Sequence, residues 1–231
     1  MTRADTAPDG PVAIGVAAAD RSDPVIAEIA ARAARLLPPG TAPDTAAARF
    51  GDHVLNPSFA GSGTRPPRAA AVLMALGRDA ADGTPVMLLT ERATHLAAHP
   101  GQVALPGGKI EAGETPAETA LREAHEEIDL LPAAVEVLGV GDAYHTRTGF
   151  VVVPVLGLLA RPATLTPAPG EVASVFTAPY QQVMTLANHR EVRVTRDGLE
   201  RTYFEVMSGQ KRIWGVTAGI LRLMHGKLYG P

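Results

Sequence analysis

No cysteine occurs among the 231 residues. That excludes disulfide frameworks, thiolate zinc sites and cysteine nucleophiles together. Lysine is almost as scarce: Lys109, Lys211 and Lys227 are the whole set. With 21 basic against 24 acidic residues and a net charge of −3, the chain lacks the basic excess of a protein that coats nucleic acid or anionic membrane. Long apolar stretches are missing too, since the longest runs reach about ten residues and carry Pro or Gly, too short to span a bilayer. Met1 to Pro11 contain no apolar segment, so a secretory signal is not expected. The closing Lys227-Leu228-Tyr229-Gly230-Pro231 is no peroxisomal or retention address. What is present is 46% hydrophobic residues, enough to bury one sizeable core, or a core plus a short arm. The expectation is a soluble, cytoplasmic globular protein with neither nucleic acid nor membrane as partner.

Residues 1–22 are rich in Ala, Pro and Asp without a sustained period and read as a flexible arm. From Asp23-Pro24 the apolar positions Val25, Ile26, Ile29, Ala33, Leu36 and Leu37 predict a helix that Pro38-Pro39-Gly40 stops. Residues 40–69 read as a long surface connection. Gly61-Ser62-Gly63 falls in it with no strand before and Pro66-Pro67 after, which makes it linker rather than phosphate loop. The pattern then changes to short apolar runs. Strands are expected over Ala70–Leu76, Pro85–Leu89, Val135–Val140, Phe150–Leu159 and Glu171–Phe176. Arg193–Thr195 and Arg201–Val206 read as a hairpin around Asp197-Gly198, and helices as Pro116–Ile128 and Val216–Met224. A single α/β or α+β sandwich follows, divided as arm 1–22, helix and connection 23–65, and main domain 66–226.

The helix at 116–128 carries the chemistry. Thr115 with Glu118 three residues on, and Pro116 between, is a capping-box start. Ala117, Ala120, Leu121, Ala124 and Ile128 make an apolar stripe, and Glu123, Glu126 and Glu127 lie beside it within reach of one point. A solvated acidic face is the ordinary reading of three glutamates. Here like charges at these spacings repel by a few tenths of a kcal/mol per pair, sit towards a helix C-terminus that disfavours them, and have only Arg122 beside them. A hard divalent cation would resolve the repulsion, and oxygen-only donors suit magnesium or manganese.

Gly108, five residues, Glu114, seven residues, then Arg122-Glu123-Ala124-His125-Glu126-Glu127 and Leu130 resembles the Nudix box, Gly-x5-Glu-x7-Arg-Glu-aliphatic-x-Glu-Glu-x-Gly-aliphatic. Every charged position is matched, and one position departs. The motif's second glycine is Asp129, which tolerates a left-handed helix end at a cost of roughly 1 kcal/mol. The resemblance implies a Nudix-type α/β/α sandwich with a mixed sheet and a loop-helix-loop catalytic motif. It also implies Mg2+ or Mn2+ bound through Glu123, Glu127, Glu126 and the Gly108 carbonyl. Arg122 would orient the glutamates, and Glu126, Glu123 or Glu171 would serve as base. Glu111 and Glu114 would brace the loop.

A second set of residues, Leu88-Leu89-Thr90-Glu91-Arg92, Leu96, His99, Gly101, Val103 and Pro106-Gly107-Gly108, is similar to the signature of the coenzyme A pyrophosphatase branch. The similarity continues in Tyr144-His145-Thr146, Thr148-Gly149-Phe150, Pro154, Glu171-Val172, Tyr203-Phe204 and Ile213-Trp214-Gly215-Val216-Thr217-Ala218. It implies cleavage of coenzyme A or acyl-CoA to 3′,5′-ADP and (acyl-)4′-phosphopantetheine, with Arg92, His99 and Arg147 as substrate-binding residues. Another nucleoside-diphosphate-linked substrate (ADP-ribose, NADH, an oxidised nucleotide) is the alternative. A non-hydrolytic sensor is a third reading, which the complete set of box glutamates disfavours. Nudix relatives are often dimers, so a homodimer is the assembly the resemblance suggests. Among isolated residues, Trp214 reads as core, His145 as a satisfied loop histidine, and Glu171 as a strand opening, with Asp142 a weaker acidic candidate. His95 and His99 lack the sustained helix a two-histidine metal site would need.

Overall fold

Alternation along one long strand explains the layers. In a computed structural model, which describes residues 12–42, 44, 49–59, 67–96, 99–196 and 198–230, the chain opens with β1 (Ile14–Ala17), α1 (Pro24–Arg32), β2 (Phe50–Gly51) and α2 (Asp52–Leu55). It continues with β3 (Arg68–Asp79), β4 (Pro85–Arg92), β5 (Val103–Ala104), β6 (Gly107–Lys109), α3 (Pro116–Ile128), β7 (Val135–Val140), β8 (Tyr144–His145) and β9 (Phe150–Leu159). It ends with β10 (Ala163–Leu165), β11 (Val172–Pro179), α4 (Tyr180–Met184), β12 (Arg190–Arg196), β13 (Leu199–Ser208), β14 (Lys211–Trp214) and α5 (Val216–Tyr229). β3 and β9 run parallel, from Arg68 opposite Phe150 to Leu76 opposite Leu158, at the centre of an eleven-stranded mixed sheet. Successive side chains on a strand point to opposite faces. Ala71, Leu73 and Ala75 therefore meet Ala117, Ala120, Ala124 and Ile128 of α3. Ala70, Met74 and Leu76 face Ile26, Ile29, Ile220 and Met224 of α1 and α5. This is the α/β/α sandwich expected from the sequence. β12, β13 and β14 form a separate antiparallel sheet that contributes Val206 and Ile213 to the α5 side of the core. No helix among the described residues is long and apolar enough to cross a membrane.

The N-terminal third differs from its sequence reading. The expected flexible arm contains β1, which pairs with β10 at Ile14–Leu165 and with β3 at Val16–Asp79. Val16 is its one buried side chain, and a single apolar anchor leaves no period to read. Nor is 40–69 a plain connection. β2 joins β8, and Asp52 accepts from the Tyr144 hydroxyl at 2.9 Å and the Arg147 N–H at 2.8 Å. Buried Asn56 donates to the Thr202 carbonyl at 2.9 Å and accepts from its N–H at 2.8 Å. These side-chain-to-backbone bonds do the work of a ladder without its alternation. Ile26, Ile29, Ala33 and Leu36 pack in one core cluster with residues of the sheet and the last helix. The first helix ends at Arg32 and tightens into a 3₁₀ turn at Ala33–Arg35, short of the expected Leu37. The last helix runs on to Tyr229. Trp214 is half-buried, not core. Met1 to Pro11, Gly61-Ser62-Gly63 and Asp197 lie outside the described residues.

Candidate active site

Both ends of α3 are set by local chemistry. The Thr115 side chain accepts from the Glu118 N–H at 3.3 Å, and Glu118 accepts from the Thr115 N–H at 2.8 Å, closing the capping box. At the far end Asp129 adopts the left-handed conformation, φ 57°, with its N–H turned back to the His125 carbonyl at 3.0 Å. Glycine is the residue best suited there. Asp129→Gly is expected to raise stability by up to about 1 kcal/mol, read as a higher denaturant midpoint. An unchanged or lower midpoint would mean that the aspartate side chain compensates for its backbone.

β6 crosses above this helix, and each of its three residues meets a different box side chain. The Gly107 N–H donates to Glu127 at 3.1 Å. Gly108 lies so close to the Glu123 carboxylate that a Cβ would overlap it. The Lys109 carbonyl accepts from Arg122 at 3.2 Å. Arg122 also forks onto Glu114, at 2.7 and 3.1 Å, and bonds Glu123 and Glu126, each at 3.0 Å. One guanidinium thus joins the loop to three carboxylates, geometry that lysine could not reproduce. Glu114 further accepts from the Thr119 hydroxyl at 2.7 Å and the Glu111 N–H at 3.0 Å. Arg122 foremost holds its pKa down to about 2.

Glu127 and Glu123 are shifted the opposite way. Glu127 is 7% exposed. Burial, with the charges of Glu123 and Glu171, raises its pKa to about 7 against the pull of the Gly107 N–H and Arg92. Glu123 is also raised, chiefly by burial, with Arg122 opposing and Glu126 and Glu171 adding to the rise. Glu126 stays in solvent, its side chain 55% exposed. Three glutamates of equal rank in the sequence therefore occupy three different environments.

Arg92 and Glu171 come to this cluster from the sheet. Arg92 ends β4 and influences Glu127 directly. Its Nε is buried without a hydrogen-bond partner. Glu171 is held opposite by its carbonyl, which accepts from the Ala93 N–H at 2.9 Å. A β-bulge between Val172 and Ser174 follows, a device that re-aims the chain beside sites. Between these loops lies an open depression of about 360 Å³ lined by Thr94, His95 and Gly170. His99 and Arg147 sit elsewhere. His99 has φ 56° and pairs through Nδ1 with Gln102 at 2.8 Å, on the loop after β4. Arg147 stacks over Phe59 at 5.0 Å, on the β8–β9 turn. Asp142 is paired with Lys227 at 3.2 Å. Sequence reading passed over Thr119, which is fully buried on α3, and the Lys211–Glu91 pair, which sequence separation hides.

Among the described residues no three His, Asp or Glu groups already close on one point as a metal shell, because Arg122 engages Glu123 and Glu126 while Glu127 turns to Gly107. The donor chemistry nevertheless fits a hard divalent cation. The set is all oxygen, and buried Glu127 and half-buried Glu123 are carboxylates whose mutual repulsion a dication would relieve.

The NUDIX domain family matches residues 65–197, more than half of the chain. The chain belongs to the Nudix family. It is similar to the uncharacterized Nudix hydrolase NudL of Enterobacter sp. strain 638 and to that of Escherichia coli K12. Each is 38% identical over 156 residues, 67% of this chain and 80% of the relative. Among solved structures, the Nudix hydrolase RenU from M. smegmatis matches with a TM-score of 0.44 at 26% identity, over 52% of this chain and 74% of that one. As a Nudix hydrolase this chain acts on pyrophosphate bonds, and Nudix hydrolases generally use divalent ions such as Mg2+ or Mn2+.

Proposed function

We propose that this Nudix hydrolase cleaves the diphosphate bridge of coenzyme A or acyl-CoA, giving 3′,5′-ADP and (acyl-)4′-phosphopantetheine. The Leu88–Arg92 signature points to coenzyme A, and one observation supports a phosphate contact within it. Arg92, the last residue of the Leu88–Arg92 signature, carries a buried, unpartnered Nε and lies near enough to Glu127 to draw its pKa down. A buried donor without a partner costs free energy, and a phosphate oxygen is the acceptor that suits it best.

The roles follow from the environments. Glu127 and Glu123, with Glu126 and the Gly108 carbonyl, are the residues proposed to hold Mg2+ or Mn2+, which when bound neutralises diphosphate oxygens and acidifies a water. Arg122 is a positioning residue. It fixes Glu123 and Glu126 relative to the Gly107–Lys109 backbone. Glu126, Glu123 and Glu171 are the carboxylates proposed to accept the proton of the attacking water. Arg92 binds a phosphate of the substrate, while His99 and Arg147 meet its more distant parts from their own loops.

Incubation with coenzyme A and Mg2+ or Mn2+, with products identified by mass, is expected to release 3′,5′-ADP. Cleavage of ADP-ribose or NADH in its place would keep the Nudix chemistry and discard the coenzyme A assignment. Arg92→Gln is expected to raise KM for coenzyme A by about 10- to 100-fold, the worth of one charge-assisted hydrogen bond. An unchanged KM would remove Arg92 from the substrate site.

A further inference from the structure

Trp214 is the only tryptophan of the chain, and it stands on the outer face of the small sheet. The inner face is accounted for by Val206 and Ile213, which enter the core, and by Phe204, stacked on Arg222 of α5 at 3.8 Å. Antiparallel pairing puts Arg190, Glu205 and Trp214 in one outer row, with Val192 beside Tyr203 and Met207 beside Arg212 in the rows on either side. The Tyr203 and Trp214 rings meet at 5.2 Å and 55°. The Arg212 guanidinium lies 5.6 Å from the Tyr203 ring centroid and 5.2 Å from that of Trp214. It also donates to the Tyr203 hydroxyl at 2.9 Å.

Glu205 fixes this arrangement. Its side chain is 3% exposed and is paired with both Arg212 and Arg190, as a buried carboxylate must be. Two guanidiniums share one carboxylate, so the patch is left with a positive excess on a chain of net charge −3. Arg190 itself is 76% exposed. The sheet is also tied to the catalytic layer. The Thr217 hydroxyl, just after β14, donates to the Val103 carbonyl at 3.0 Å. Val103 pairs with Glu91, the neighbour of Arg92, and Lys211 of β14 pairs with Glu91 as well.

From an aromatic platform flanked by surplus guanidinium charge, we infer a nucleotide-binding site on the outer face of β12–β14. A base stacks on Trp214 with the tilted Tyr203 ring at its edge, and a phosphate meets Arg190 and Arg212. Any base has a π face for such a platform, and guanidinium geometry matches phosphate. The ligand is either the nucleotide half of the diphosphate substrate or a separate nucleotide. The inference does not rest on coenzyme A, because binding is read without turnover.

The single tryptophan makes the test direct. Full-length, metal-free protein is titrated with AMP, and Trp214 emission is followed with excitation at the red edge of its absorption. AMP is expected to quench saturably, and ribose 5-phosphate, which has no base, to do so far more weakly. Arg190→Gln, a change at an exposed position, is expected to weaken AMP binding by about tenfold. Tyr203→Leu is expected to weaken it by at least as much, in variants whose melting matches the wild type. AMP that inhibits hydrolysis competitively marks the substrate's own nucleotide half as the ligand. AMP that quenches without competing marks a separate nucleotide. Emission indifferent to AMP, or changing only with protein concentration as for a contact between two copies, would overturn the inference.

Discussion

Glu127→Gln is expected to remove hydrolysis while making the metal-free protein more stable above neutral pH. The carboxyl has a pKa raised to about 7 in the folded protein from the 4.5 of an ordinary glutamate. Between those values the folded chain keeps a proton that the unfolded chain has released. Glu127 therefore contributes fully below pH 4.5, and its contribution is lost as pH rises towards 7. The shift corresponds to up to about 3 kcal/mol, or about 6–12 °C of melting temperature in a chain of this length. Glutamine cannot ionise and still accepts from the Gly107 N–H, so the variant escapes that loss. Glu114 does not mask the effect. With its pKa lowered from 4.5 to about 2, its stabilisation is present above the first value and disappears only on acidification towards the second. Melting curves of both proteins across this range, with chelator and with Mn2+, are expected to diverge above pH 5 and to converge when the cation stabilises the wild type alone. Hydrolysis by the variant is expected to fall at least about 100-fold, several kcal/mol of lost charge stabilisation. Melting profiles that stay parallel would show that Glu127 is not the strained carboxylate of this site.

Deleting residues 1–37 is expected to leave no soluble folded protein. Ile26 and Ile29 on α1 are completely buried. Arg32 covers the Tyr229 ring at 4.7 Å and bonds the Leu228 carbonyl at 3.2 Å. Without α1 the apolar side of α5 and Met74, Leu76 and Leu156 of the sheet lose their cover, and without β1 the end of β3 becomes an open edge. Each isoleucine is worth about 2–5 kcal/mol by truncation to alanine, against a total domain stability of about 5–15 kcal/mol. Ile29→Ala in the full chain gives the graded version, a loss of about 2–5 kcal/mol in denaturant unfolding. A truncated protein that stays soluble and melts with the wild type would contradict the single shared core.

Where the chain carries its own start and stop signals, sequence reading reached the element boundaries. α3 begins at the capping box and ends at Asp129, and β7 and β9 coincide with their apolar runs. Reading fell short where structure is made by side-chain-to-backbone bonds. Asp52 and Asn56 are unremarkable in sequence, yet they join the segment before β3 to β8, the Arg147 turn and β13. β1 is too short for a period to show, and β14 runs for only four residues. At the site, helical spacing put Glu123, Glu126 and Glu127 on one side of α3, but it could not rank them. The ranking comes from β6, beneath which Glu127 is buried and Glu123 half-buried while Glu126 stays in water. Arg92 was legible as a motif residue; its approach to Glu127 depends on the pairing of β4 with β11 across more than eighty positions of sequence.

The measurement that bears most directly on the central claim is kcat/KM for coenzyme A relative to ADP-ribose, for the wild type and Arg92→Gln, at fixed Mn2+. The proposed function predicts that the wild type prefers coenzyme A, releasing 3′,5′-ADP, and that the variant loses most of its activity on it through KM. Equal or better turnover of ADP-ribose by the wild type would contradict the assignment.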